Sequence, residues 1–458
     1  MNRIHRHVAV QARRRMAGLS LIEMMIALVM ALIVAAGIIS VFESTSSSNK
    51  VQAQLATLQE EGRFAIHSLR NDLANANGGY CSNTGGNAQV TSSNLYLDAL
   101  RSPTIYANAV ATVNAVFADD TTALPGPNPD GPYALPAVIY MRGYECTATA
   151  PCKPSLTALA VPNGVPAMGT AVGDRVKGAD VLTLRYLKPG SGWALVPSTS
   201  ATGSYMETTG GTTTITLRPL TSAGEPPATT FTGSLAMLAD CSNAQVFAVS
   251  NAGGVLTVTG ANYAQPLDIT EGAAPRVFDF DDDFQTVTYY LRVVCADGSS
   301  PCVHTTGELV RRFNGKDQPL VRGVERLDFE YGIVDANGNT EYLDAEKVST
   351  GVDAGGNSIP CPPGISTNLQ AGMPGNTPAT GCLWRAVQTI QVHILMDGQT
   401  PLYTMTPAEM YYIYSPDGDT TPEKPSAHTI KPKTDQGFPQ HLLRREFTTV
   451  VALRNFNP

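Results

Sequence analysis

"RRRMAGLSLIEMMIALVMALIVAAGIISVF", residues 13–42, decides the fold. Leu19 to Phe42 is a run of 24 residues with one charge, Glu23. As a helix it spans about 36 Å, enough to cross a bilayer. Residues 1–18 hold Arg3, Arg6, Arg13, Arg14 and Arg15 and no acid, which sets the N-terminus on the cytoplasmic side. Three readings compete. A secretory signal has a shorter apolar stretch followed by a small-x-small site; Ala35-Ala36-Gly37 is a weak version, but the run continues past it. A plain anchor gives no reason for a carboxylate inside the span, which costs a few kcal/mol if deep and normally marks function. The third reading cuts between Gly18 and Leu19, making Glu23 the fifth residue of the mature chain. In an assembly of such helices, the new α-amine of Leu19 neutralises a neighbour's Glu23 inside an apolar core. Two buried charges are tolerated when they pair.

The rest of the chain is a different material. Its 458 residues include 41 Gly and 32 Pro, with 15% charged and 7% aromatic residues. This turn-rich composition suits a β-rich extracytoplasmic protein. Net charge is −8; without the five leader arginines, 26 basic residues face 39 acidic ones, or −13. Such a balance argues against nucleic-acid binding by general phosphate attraction, leaving only local patches such as Arg311-Arg312 or Arg444-Arg445. Eight cysteines follow the apolar run, with no C-x-x-C among them. After an export segment their even count predicts disulfides, the alternative being partly free buried thiols. Local closure favours Cys146–Cys152, Cys295–Cys302 and Cys361–Cys382, which leaves Cys81–Cys241.

"GLSLIEMMIAL" resembles the class III signal of type IV pilins and pseudopilins. Gly18, Leu21, Ile22 and Glu23 match position by position, and Leu19 replaces the family's usual aromatic residue. The resemblance implies cleavage after Gly18 by a prepilin peptidase and N-methylation of Leu19. A leader of 18 residues is longer than in many major pilins and fits minor ones.

Beyond Phe42 the helix continues. Val51, Leu55, Leu58, Gly62, Ile66, Leu69 and Leu73 step by three or four, one narrow stripe that packs on the chain's own head. Gly62 costs about 1 kcal/mol of helix propensity relative to Ala and marks a kink or close packing. A stop is expected at Asn77-Gly78-Gly79, so Leu19–Ala76 would measure about 87 Å. Strands follow at Val181–Tyr186, Thr213–Leu217, Val246–Ser250, Val255–Thr259, Thr286–Val294, Glu308–Phe313, Arg326–Ile333, Ala386–Leu395 and Phe447–Leu453. Ser250–Gly254 reads as a hairpin turn and Asp335–Thr340 as another; Thr122–Leu135 and Thr350–Thr380 read as loops. "SLRNDLANANGGYC" (68–81), "GADVLTLRYLKPG" (178–190), "LADCSNAQVFAVS" (238–250), "PLVRGVERLDFEYGI" (319–333) and "RREFTTVVALRN" (444–455) are similar to recurrent blocks of PilW-type minor pilins.

The expected fold class is therefore α+β and pilin-like: a long N-terminal helix and a large antiparallel β-rich globular head. Its parts are a removed basic leader (1–18), a transmembrane and fibre-core half-helix (19–42), an amphipathic half-helix (43–77) and a periplasmic head (78–458), with two lobes meeting near 260–274.

The exported part has five histidines, His67, His304, His393, His428 and His441, none paired at helical spacing. With no H-E-x-x-H, no zinc site is expected, and the histidines read as surface or satisfied. No G-x-S-x-G or Walker loop occurs. "DFDDDF" gathers Asp279, Asp281, Asp282 and Asp283, which could hold Ca²⁺. "DANGNTEYLDAE" offers Asp335, Asn337, Asn339 and Glu346 in a partial calcium-loop pattern. A solvated acidic turn is the plainer reading of both, so no metal and no cofactor is assigned.

The resemblance implies a non-enzymatic subunit that helps to initiate a type IV pilus near its tip, in a fibre serving adhesion or twitching motility. Its partners would be other minor and major pilins, a large tip adhesin, the prepilin peptidase and the inner-membrane assembly platform, with no nucleic acid. It would sit in the inner membrane as a single-pass protein with a periplasmic head, then in the pilus. The rivals are a type II secretion pseudopilin, a membrane-anchored periplasmic enzyme or binding protein, and a DNA-uptake pilin.

Overall fold

The computed structural model describes residues 20–76, 140–154, 165–239, 244–259, 275–334, 339–360, 381–403 and 405–453, with strand segments at 89–90, 96–97, 104–105 and 133–134. The chain divides into two units, residues 1–54 and 55–458.

One helix, Leu21–Leu73, runs for 53 residues without a proline. Its first part is apolar all round: Leu21, Ile22, Met24, Ile26, Leu28, Ile33 and Phe42 are all exposed. The part within 55–458 is two-faced. Leu58, Gly62, Ala65, Leu69 and Leu73 are buried, while Glu60, Arg63, His67 and Arg70 are exposed. Of the stripe read from the sequence, Leu58, Gly62, Leu69 and Leu73 are buried and Val51, Leu55 and Ile66 are partly so, with Ala65 and Asp72 added to the buried face. The helix stops at Leu73 and a turn covers 74–76; the Gly78-Gly79 stop expected just beyond lies outside the described residues.

The head is built on antiparallel sheets. In one, Lys316–Arg322, Thr305–Phe313, Phe284–Cys295, Val181–Leu187 and Met141–Tyr144 follow in order. Phe284–Cys295 is covered on both faces. Val287, Tyr289, Leu291 and Val293 join the core around Leu58, Leu69 and Leu73. Tyr290, on the opposite face, packs with Tyr144, Val181, Val310 and the Cys146–Cys152 bridge. A four-stranded sheet, ordered Thr340–Leu343, Val324–Val334, Val387–Asp397 and Arg444–Ala452, supplies Leu327, Phe329, Ile390, Val392 and Val451 to the same core. A nine-stranded sheet, whose longest member is Ala244–Ala252, has a second core of Trp193, Ile215, Phe231, Phe247 and Leu256.

Every strand expected from β-branched enrichment is present, most of them extended by one to three residues. The hairpin at Ser250–Gly254 pairs Ala252 with Val255 across Gly253 and Gly254, at φ 62 and 88. Two adjacent left-handed positions are what a tight type I′ turn needs, and glycine supplies them without strain. Lys316–Arg322 was not foreseen. It carries Pro319 and sits at a sheet edge with a register shift opposite Leu309/Val310, where the missing N–H is harmless. Two expected disulfides are formed, Cys146–Cys152 and Cys295–Cys302, with Cα separations of 4.1 and 5.5 Å. The pairings of Cys361 with Cys382 and Cys81 with Cys241 rest on residues outside those described, as does the lobe junction at 260–274.

Candidate functional site

Glu23 lies in the first turn of the long helix, where the exposed amides carry partial positive charge. Its Oε2 accepts the Ser20 N–H at 3.2 Å. Gly18 and Leu19 lie outside the described residues. Among the described residues, this helix alone is long and apolar enough to cross a membrane.

Within 55–458, the helix is fixed by an acid in its last turn. Such an acid opposes the helix dipole, so its presence requires compensation. Asp72 is 7% exposed and meets three adjacent strands. Its Oδ1 accepts from the Tyr186 hydroxyl at 2.9 Å and Arg311 Nη2 at 3.1 Å. Its Oδ2 accepts from the Tyr289 hydroxyl at 2.6 Å and Arg311 Nε at 2.5 Å. Arg311 and Tyr289 stand directly opposite each other in the ladder, so the register itself assembles the receptor. Burial, and then the Asp72 charge, raise the Tyr186 and Tyr289 hydroxyls well above the ordinary tyrosine range, so both remain donors. Nearly three turns earlier, Gly62 faces Phe447. A Cβ there would lie 2.5 Å from the ring, so the close packing anticipated for Gly62 is with the last strand. Beside it, Gln399 Nε2 donates to Glu61 Oε2 at 2.7 Å.

The arginine pairs considered as basic patches are engaged. Arg311 is held by Asp72 and Arg312 by Asp317 at 3.2 Å. Arg444 donates in two bonds to the fully buried Glu325, at 2.7 and 2.9 Å, and only Arg445 of the four is exposed.

Three of the acids of "DFDDDF" bind backbone amides and one a hydroxyl. Asp279 Oδ2 accepts from the amides of Thr232 and Gly233 at 2.8 and 2.9 Å. Asp281 Oδ2 accepts from those of Ser234 and Leu235 at 2.7 and 3.1 Å. Asp282 takes the Thr232 hydroxyl at 3.0 Å, and Asp283 the Asp279 amide at 3.2 Å. Asp279, Asp281 and Asp282 anchor the 232–235 segment, and Asp283 holds the acidic turn itself. Asp335 and Asn337 of the second acidic stretch lie outside the described residues, and Glu346 pairs with Lys153 at 2.9 Å.

Two clusters were missed by sequence reasoning. Glu145, Asp180 and Asp328 bring carboxylate oxygens within 4.8 Å of one another around the Cys146–Cys152 bridge. Asp180 accepts the Cys146 and Phe329 amides at 2.9 and 3.1 Å, and Asp328 takes Arg326 at 3.3 Å and the Tyr414 hydroxyl. Burial first, and then Asp328 and Asp344, push Glu145 up to about 8. Asp180 is raised well above the carboxylate range by burial first, and then by Glu145 and Asp328. The second cluster is Asp417, Asp419 and His428. The signal for the first was an acid isolated in an apolar context with partners far away in the chain; the second is local, but sits in a loop without the periodic spacing that marks a ligand set. Of the histidines, His393 Nδ1 meets Glu446 at 2.7 Å while its Nε2 lies 3.7 Å from Glu330, and His304 Nε2 meets the Gln399 carbonyl at 3.0 Å. His428 is neither at the surface nor hydrogen-bonded.

The fold class expected from the resemblance, a long N-terminal helix and an antiparallel β-rich head, is the one observed. Residues 305–455 match the family model of PilW, type IV pilus-assembly protein W. These residues include Arg311, Phe447 and Arg444. A solved structure similar to the chain is a type IV-like pilin, TTHA1219, from Thermus thermophilus. It is 12% identical, with 49% of this chain and 85% of that chain covered and a TM-score of 0.15. No curated protein matches the chain. Over residues 305–455 the chain is thus similar to a type IV pilus-assembly protein.

Proposed function

We propose that the chain is a minor pilin that helps to start assembly of a type IV pilus, near the tip of the fibre. The observation that carries this reading is one helix with a lone acid, Glu23, in its first turn, apolar on every side behind a basic leader. The match at residues 305–455 supports it independently from the other end of the chain. In this reading residues 1–18 are the leader, 19–42 the membrane and fibre-core segment, 43–77 the amphipathic half-helix and 78–458 the periplasmic head. Prepilin peptidase cuts after Gly18, and the Leu19 amine is methylated. The chain waits in the inner membrane until the assembly platform adds it beside other minor pilins and a tip adhesin.

The step that needs chemistry is transfer from lipid to fibre. A carboxylate in hydrocarbon is costly unless paired. The Leu19 amine of a neighbouring subunit supplies the opposite charge, and the pairing fixes one axial register between subunits. Replacing Glu23 with Ala should give a chain that is processed and folded yet absent from sheared pili. Normal incorporation of that variant would remove the pairing role. A mature N-terminus other than Leu19, found by mass spectrometry, would remove the pilin reading itself.

A further inference from the structure

We infer that Asp417, Asp419 and His428 form a binding site for one divalent transition ion of the zinc class. The His428 side chain is fully buried, and neither ring nitrogen has a hydrogen-bond partner. Its ring stacks on Tyr412, centroids 3.8 Å apart and 10° from parallel, which fixes the direction in which Nδ1 points. That direction leads to two carboxylate oxygens, Asp419 Oδ2 at 3.0 Å and Asp417 Oδ2 at 3.3 Å.

These separations have a particular meaning. A protonated ring paired with either acid would place an oxygen along its N–H bond, and neither oxygen meets that geometry. Nitrogen and oxygen ligands at about 2.0–2.1 Å from a tetrahedral ion lie about 3.3 Å from each other, flanking the lone-pair axis. Nδ1 stands close to that separation from both oxygens, at 3.0 and 3.3 Å, and the three atoms all lie within 4.8 Å of one another. An ion at Nδ1 engages the buried lone pair and both carboxylates at once.

The chain is arranged to hold this triangle. Asp417 ends a short helical turn closed by Gly418 at φ 82, so that Asp417 and Asp419 present side chains from one bend. Tyr412 and Glu423 exchange backbone hydrogen bonds at 3.1 and 2.8 Å, which brings the returning segment and His428 beneath that bend. Further bonds orient the ligands. Asp419 Oδ2 accepts the Tyr414 amide at 3.0 Å, Asp417 Oδ2 the Thr429 amide at 3.3 Å, and Asp417 Oδ1 the Arg326 guanidinium at 3.4 Å. Arg326 is itself paired with Asp328 at 3.3 Å, so the charge of Asp417 and Asp419 is left for a dication to balance. An imidazole among the donors selects against Ca²⁺, which takes oxygen ligands, and for zinc-class ions. Asp419, with its side chain 12% exposed, is the side from which the ion enters. A bound ion would cross-link the 411–431 segment, which lies between the Val387–Asp397 and Arg444–Ala452 strands.

The test uses the full chain in detergent micelles, without a histidine tag, stripped with a chelator and titrated with Zn²⁺ alone. Ion content after dialysis and melting temperature are the readouts. The wild type should retain one ion per chain and melt higher with Zn²⁺. Asp419→Asn, which preserves shape, should bind at least about tenfold more weakly and lose the shift. His428→Gln should do the same if it folds; if it does not, Asp419→Asn alone decides. Failure of the wild type to take up Zn²⁺ overturns the site. So does a loss in Asp419→Asn smaller than tenfold, which would put the ion elsewhere, or an equal shift with Ca²⁺.

Discussion

The two stretches of the long helix obey different solvents. From Leu21 to Phe42 the apolar side chains face outward on every side, with Leu21 79% and Phe42 72% exposed. From Leu58 to Leu73, Leu58, Ala65, Leu69 and Leu73 form one buried stripe with the partly buried Ile66 packed against it, while Phe64 is exposed on the other side. A helix apolar all round is stable only in lipid or among other helices; a striped one is stable against its own protein. The first stretch is therefore compatible with membrane anchoring, and the second is a surface that packs on the head. The charges follow the same division. Glu23 is exposed and has no opposite charge recorded within the described residues, whereas Asp72 is enclosed by Arg311 and two tyrosines.

The sharpest way to break this comparison is to remove the second acid. Asp72→Ala leaves the Arg311 charge and two hydroxyls facing a buried cavity. Breaking one partner of a buried, hydrogen-bonded ion pair costs about 3–5 kcal/mol. Chemical denaturation of the head should show a loss of that size, while Glu23→Ala should leave the same transition where it was. If Asp72→Ala and Glu23→Ala give equal midpoints, the two halves do not differ as claimed.

A smaller effect is expected at Gly62. Gly62→Ala gains about 1 kcal/mol in helix propensity. Its new methyl, however, meets the Phe447 ring at 2.5 Å. Overpacking of this kind costs about 1–3 kcal/mol, so the net change should be a modest destabilisation. Combining it with Phe447→Leu should return part of the loss. Additive losses in the double variant would show that the helix and the last strand are not in register at this point.

How much of this was legible in the sequence follows from distance along the chain. The helix, the Gly62 contact stripe and the expected strands are written in local periodicity, and the two described disulfides close loops of six and seven residues. Asp72 looked like one more polar residue near a helix end, because its partners lie 114 to 239 residues away. Asp180, between Ala179 and Val181, was opaque for the same reason, with Phe329 149 residues away. His428 lies near Asp417 and Asp419 in the chain, but in a proline-bounded loop with no helical or strand periodicity to bring them together. Arg311 and Arg444 were visible as charges, but only the folded register shows them facing inward. Pro319 concealed an edge strand because a proline argues against a strand unless the sheet order is known.

The smallest effect concerns pH, and it separates the head from the apolar helix again, because its groups all lie within 55–458. Burial works against charge on His393, but Glu330 and Glu446 outweigh it and push the imidazole up to about 9. The folded head keeps that proton above the ordinary histidine value of 6.5, so this contribution is whole below 6.5 and is lost as pH rises through 9. Glu145 acts in the same sense for a different reason. Burial, with Asp328 and Asp344 beside it, carries its carboxyl up to about 8, so its contribution is whole below 4.5 and fades as pH rises through 8. The melting temperature should therefore fall between pH 5 and pH 9. His393→Gln should flatten the upper part of that fall, and Glu145→Gln the lower part. A melting temperature that rises across the same range would mean that the folded head does not hold these protons, and that Glu145 and His393 face water much as the polar side of the helix does.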